Sequence, residues 1–132
     1  MFEIRKKFKF EASHELKGLK PWPGCPTPDH PCTRNHGHSY TAEFVFQAKN
    51  VGHDGFLIDY NLLKPIGKFL DEKLDHRFLN DVEEFKDLHN PSAELMAYAL
   101  YAKFKVSFPA LAEVRIYETE KTVAIYRGGT LI

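Results

Sequence analysis

From residue 2 the even positions run Phe2, Ile4, Lys6, Phe8, Phe10, Ala12 and His14, while the odd ones are Glu3, Arg5, Lys7, Lys9, Glu11 and Ser13. A period of two predicts a strand with one buried face. The alternation returns at His36, His38, Tyr40, Ala42, Phe44, Phe46 and Ala48, with mostly polar residues between them, and predicts a second long strand. Residues 60 to 74 then change period: Leu62, Leu63, Ile66, Phe69, Leu70 and Leu74 are spaced as one face of a helix, with Asp59 or Asn61 as caps. Pro65 either kinks that helix or marks its first turn. A second helix is expected from Asn90-Pro91-Ser92 to about Ser107, burying Leu95, Met96, Ala99, Ala102 and Val106 and ending before Pro109. Val114 to Glu118 and Thr122 to Arg127 alternate again across a short break and read as a hairpin.

The order strand, strand, helix, helix, strand, strand predicts an α+β fold: a four-stranded antiparallel sheet with two helices on one face, ββααββ, in a single domain over residues 1–132. Composition keeps the picture ordinary, with 43% hydrophobic and 27% charged residues and no apolar run of membrane-spanning length. Charges spread through the first ten residues argue against a leader, so the expected compartment is cytoplasmic, with no membrane partner. Lys plus Arg and Asp plus Glu balance at 18 each, which leaves no basic field to attract nucleic acid; an anionic substrate would be caught by local charges.

Parity turns a weak motif into a site. His36-Gly37-His38 alone is a common strand ending, but antiparallel pairing of the two long strands brings His14 beside both histidines on the same face. Three neutral imidazoles with an open fourth position are the donor set of a catalytic zinc ion; the competing reading is a histidine cluster in a polar pocket. Cys32, at the end of the Pro- and Gly-rich loop 15–35, is either a fourth ligand that closes the site or a thiolate base; Cys25 reads as an incidental thiol. Asp75-His76 could form a proton shuttle, or simply end a helix with a histidine near its dipole. Glu118 continues the face of Val114 and Ile116, so it either leans into water or pairs with the N–H edge of an amino-pyrimidinone ligand. His30, His53 and His89 read as surface residues.

Taken together, Phe10-Glu11-Ala12-Ser13-His14, Cys32-Thr33-Arg34-Asn35-His36-Gly37-His38, Gly55 to Tyr60, Leu74-Asp75-His76, Asn90-Pro91-Ser92-Ala93-Glu94 and Tyr117-Glu118-Thr119 resemble the 6-pyruvoyltetrahydropterin synthase and 6-carboxytetrahydropterin synthase family over nearly the whole chain. The resemblance implies a tunnelling fold, in which subunits join their sheets into a β-barrel and two trimeric rings stack into a homohexamer with active sites between subunits. It implies zinc on His14, His36 and His38, Cys32 as catalytic base, Asp75 and His76 as a relay supplied by a neighbouring chain, and a pterin held by Glu118 and by Ser92, Ala93 and Glu94.

The three residues between Cys32 and His36 are similar to the spacing in the bacterial queuosine-pathway 6-carboxytetrahydropterin synthases, whereas pyruvoyl-forming relatives typically have five. That branch implies conversion of 7,8-dihydroneopterin triphosphate to 6-carboxy-5,6,7,8-tetrahydropterin, acetaldehyde and triphosphate. The alternatives are triphosphate elimination of the pyruvoyl type, or pterin binding without turnover. Two departures stand out. Pro91-Ser92-Ala93-Glu94 replaces the Pro-Thr-Ser-Glu of many relatives and lacks one hydroxyl, and the loop 16–31 is longer than in compact relatives, leaving Lys17, Lys20 and Arg34 as candidates for the triphosphate.

Overall fold

The computed structural model describes residues 1–129, so residues 130–132 of the expected single-domain span lie outside the described residues. The two alternating runs form β1 (Phe2–His14) and β2 (His36–Ala48), paired antiparallel in the expected register, with Phe10 opposite Tyr40, Ala12 opposite His38 and His14 opposite His36. After α1 (Lys64–Lys73) and α2 (Ala93–Lys105) come β4 (Leu111–Thr119) and β5 (Thr122–Tyr126), the expected hairpin. Between the helices lies a two-residue strand, β3 (Arg77–Phe78), parallel to β1. The open sheet therefore has five strands in the order β3-β1-β2-β4-β5 and is mixed, where the sequence predicts four antiparallel strands. β3 exists because the chain leaving α1 clasps the free edge of β1: the His76 amide donates to the Glu11 carbonyl at 2.6 Å, and the Glu11 amide donates to Asp75 Oδ1 at 2.8 Å. Two residues are too few to show an alternation.

The first helix starts later than its apolar spacing suggests. Tyr60–Leu63 form a 3-10 turn capped by Asp59, and Pro65 lies in the first turn of α1, where its missing N–H costs nothing. Leu62 consequently points outward at 62% exposure, while Leu63, Ile66, Leu70 and Leu74 are fully buried. Ser92 caps α2 by accepting from the Leu95 amide. Its buried face is Met96, Ala97, Leu100 and Phe104; Leu95 and Ala99 are only half-buried, Ala102 is exposed and Val106 is 84% exposed. The large rings decide this rotation, since Phe104 packs edge-on against both Phe44 of β2 and Phe69 of α1.

The core lies between the helices and the even face of β1 and β2, with Phe10 stacked on Tyr40 at 5.0 Å between ring centres. Each such fully buried large side chain contributes about 1.5–3 kcal/mol. The opposite face is polar yet partly closed. Glu43 and Glu113 are buried there, answered by Arg115 at 3.5 and 2.7 Å, by the Tyr117 hydroxyl donating to Glu43 and by Arg127 at 3.0 Å from Glu113. Among the described residues no helix is long and apolar enough to cross a membrane.

Candidate metal centre and adjoining cleft

At the open end of the β1–β2 ladder the three histidines face one another, with ring centres 4.6 Å (His14–His36), 5.3 Å (His14–His38) and 5.0 Å (His36–His38) apart. Strand parity sets this arrangement, because His14 and His36 are direct cross-strand partners and His38 is the next residue on the same face. Glu118, one step beyond the Thr41–Tyr117 pair on β4, adds a carboxylate whose Oε1 lies 3.2 Å from both His14 Nε2 and His38 Nε2. The four donor atoms all lie within 4.8 Å of one another, and the group could hold a metal ion. Cys32 does not belong to it. Where the sequence leaves Glu118 between water and a ligand, the folded chain turns its carboxylate into the histidine cup.

The donor set suits a cation on two further observations. His14 Nδ1 lies 2.8 Å from the Pro91 carbonyl and His36 Nδ1 lies 2.7 Å from the Arg34 carbonyl. A carbonyl only accepts, so each Nδ1 carries a proton, which leaves Nε2 of each ring as the nitrogen available to a cation. A lone pair aimed at a carboxylate oxygen needs a positive charge between them, either a proton or an ion. His38 Nε2 is buried without a hydrogen bond of good geometry, the condition expected of an atom awaiting such a partner.

The electrostatics follow from the same contacts. The His14 imidazole against its carboxylate holds Glu118 below the usual range, against the opposing effect of burial. Burial lowers His38, against the opposing effect of the Glu118 carboxylate. Burial pushes the Tyr40 phenol well above its ordinary value, with the Glu118 charge adding to the effect, so Tyr40 stays a neutral hydroxyl against His14. Burial and then the Glu118 charge also raise the Cys32 thiol.

A cleft of about 360 Å³ opens beside the cup, lined by Ala93 and Glu94 at the start of α2, Ile116 and Glu118 of β4, and Thr122 and Val123 of β5. Three of the residues expected to bind a ligand ring therefore share one cavity, and Glu118 borders both cleft and cup. Ser92 stands next to it as the cap of α2. Asp75 and His76 do touch each other, with His76 Nδ1 2.8 Å from Asp75 Oδ2, although adjacency alone does not require it. Neither belongs to the group of facing donors. His76 lines a cleft of about 440 Å³ with Glu11, Ser13 and Ser39, and His38 borders the same cleft. His76 is 80% exposed and holds a left-handed backbone, φ 60°, a conformation that costs a non-glycine residue about 1–2 kcal/mol.

Three supporting residues escape the sequence reading. Asn80 pairs its side-chain amide with both the amide and the carbonyl of Glu15, and Asn90 does the same for Lys17, so two side chains act as a strand partner for the segment after His14. Between them the Leu16 amide donates to the Cys32 carbonyl at 2.9 Å. His30 is not a plain surface residue: its Nδ1 accepts from the Cys32 amide at 3.1 Å. Pro31, in the first position of the short 3-10 turn Pro31–Thr33, is the signal that could have identified His30 as its cap.

This architecture has close counterparts. Residues 3–129 match the family profile described as 6-pyruvoyl tetrahydropterin synthase. The chain is 31% identical to a 6-carboxy-5,6,7,8-tetrahydropterin synthase from Synechocystis sp., covering 96% of this chain and 93% of that one, and 30% identical to the enzyme of the same name from Bacillus subtilis, covering 96% and 85%. Among solved structures, the 6-pyruvoyl tetrahydropterin synthase of Caenorhabditis elegans superposes with a TM-score of 0.80 at 26% identity, over 97% of this chain and 96% of that one. With a family match spanning almost its full length, the chain belongs to the 6-pyruvoyl tetrahydropterin synthase family.

Proposed function

We propose that the protein is a zinc-dependent 6-carboxytetrahydropterin synthase, a carbon-carbon lyase that converts 7,8-dihydroneopterin triphosphate and water to 6-carboxy-5,6,7,8-tetrahydropterin, acetaldehyde and triphosphate. The observation that carries this reading is Glu118, which borders both the three-histidine cup and the cleft at the start of α2. One residue thus joins an ion site to a ring site. The two relatives that match 96% of the chain at about 30% identity carry the carboxy name, while one that is 33% identical over 74% of the chain carries the pyruvoyl name.

His14, His36 and His38 are the residues that would hold zinc, through Nε2 in the two whose Nδ1 protons are committed to carbonyls. The bound ion supplies Lewis-acid polarisation of substrate oxygens. The pterin ring lies along Ala93, Glu94 and Glu118, with free amides at the start of α2 and the Glu118 carboxylate meeting its polar edge. Cys32 takes the proton from the side-chain carbon of the substrate. Burial and Glu118 raise its thiol, and a cation in the cup opposes that effect. His76, with its Nδ1 proton directed to Asp75, keeps Nε2 free to deliver and collect protons.

Because the Asp75–His76 pair is not among the facing donors of its own cup, the working site takes this pair from a neighbouring subunit, in the barrel-forming homohexamer implied by the family resemblance. The product belongs to queuosine biosynthesis in the cytoplasm. Pyruvoyl-type triphosphate elimination is the second reading, favoured by the superposition on the nematode protein of that name. Mass analysis of one reaction mixture separates the two: carboxytetrahydropterin with acetaldehyde supports the proposal, and a pyruvoyl product without acetaldehyde overturns it.

A further inference from the structure

We infer that His30 is a positioning residue for Cys32, its imidazole holding the Cys32 amide and so fixing the backbone from which the thiol projects. The inference rests on the reading of Cys32 as the base and adds a part to it. In the turn Pro31–Thr33 the proline has no N–H, which makes the Cys32 amide the first free donor. His30 Nδ1 accepts from it at 3.1 Å. The remaining donors are also answered: Thr33 N and Thr33 Oγ1 donate to the His30 carbonyl at 3.0 and 2.7 Å, and Arg34 N donates to Pro31 at 3.1 Å.

The Cys32 carbonyl is taken by the Leu16 amide, two residues beyond His14. Both main-chain polar groups of Cys32 are therefore engaged, one by the segment that follows a cup histidine and one by the His30 ring. Ser, Thr, Asp and Asn are the usual caps of such a turn. A histidine does the same work and adds a ring, and that ring packs edge-on against Trp22 at 5.2 Å between centres, with the planes at 73°. Trp22 is 47% exposed and has no other aromatic neighbour among the described residues. The long loop thus acquires a purpose: Trp22 steadies His30, and His30 steadies Cys32.

The test uses the zinc-loaded protein carrying Cys25→Ser, so that Cys32 is the sole thiol. His30→Asn keeps an acceptor near the Nδ1 position and drops the ring, whereas His30→Phe keeps the ring and drops the acceptor. His30→Phe is expected to lower kcat by about 10–100-fold with little change in KM and full zinc content, while His30→Asn stays within about threefold of the parent. His30→Ala, lacking both features, should follow His30→Phe and replaces it if the phenylalanine variant does not fold. The rate of iodoacetamide alkylation at Cys32 should change in the same order. Equal kcat values in the Asn and Phe variants, or an alkylation rate unchanged without the acceptor, overturns the positioning role. Turnover retained in Cys32→Ala overturns the base assignment instead, and the alkylation rates still read the cap without any turnover.

Discussion

His14 directs its Nδ1 proton to the carbonyl of Pro91, 2.8 Å away, and so ties the cup to the residue that precedes the N-cap of α2. His14 is fully buried, with Tyr40 and Glu118 also at its ring, whereas His36 is only half-buried at the rim. Substituting the two should therefore separate stability from metal binding. Without metal, His14→Ala is expected to lose about 2–4 kcal/mol of unfolding free energy, because it opens a cavity and strands the Pro91 carbonyl. His36→Ala should lose less than about 1 kcal/mol. Both should fail to retain zinc. Urea titration in chelator, with metal analysis of each variant, checks the pair, and equal stability losses would show that burial is not what distinguishes them.

Asp75 gives the acid dependence. The Glu11 amide, and then His76, hold its carboxyl below the ordinary carboxylate range. A carboxylate whose folded value is depressed stabilises the protein above its unfolded value and loses that contribution as pH falls through the folded one. The window therefore lies below about pH 4. Asp75→Asn, which still accepts from Glu11, should flatten the fall of urea midpoint with pH in that window and should also slow turnover. An unchanged acid limb would mean that the clasp contributes nothing to acid stability.

The backbone of His76 makes a second, opposite-signed prediction. Its left-handed conformation suits glycine, so His76→Gly should fold with a melting temperature equal to or above the parent while turnover falls. A lower melting temperature would show that the ring, exposed as it is, supports the fold.

Asn90 is buried and bonds both the amide and the carbonyl of Lys17; Asn80 does the same for Glu15. Asn90→Ala should cost about 1–3 kcal/mol by leaving two main-chain groups without partners. It should also speed hydrogen exchange at the Leu16 amide, which holds the Cys32 carbonyl. Unchanged exchange there would show that the segment does not depend on its side-chain partners.

The parts of this molecule that were legible in its sequence are those written in local period. Alternation from Phe2 to His14 and from His36 to Ala48 gave strands, and parity alone placed three histidines together, because adjacent antiparallel strands preserve it. The pairings that were not legible join residues far apart in sequence. The Asn80–Glu15 and Asn90–Lys17 bonds span 65 and 73 positions and have no periodic signature. β3 depends on one aspartate side chain standing in for a main-chain acceptor at Glu11. In α2 the apolar residues run around much of the helix, so period alone could not choose Leu100 and Phe104 over Ala102 and Val106; Phe44 and Phe69 chose. His30 was missed because histidine is not a usual cap and only its proline neighbour hinted at the turn.

The central claim is that His14, His36 and His38 hold the ion while Cys32 stays free beside it. Crystals grown with zinc and measured at the zinc absorption edge test this directly. The account predicts one anomalous peak per chain at about 2.0–2.1 Å from the Nε2 atoms of His14 and His36 and from one ring nitrogen of His38, with no bond from Cys32. A peak about 2.3 Å from the Cys32 sulfur, or one lying away from the three histidines, would contradict it.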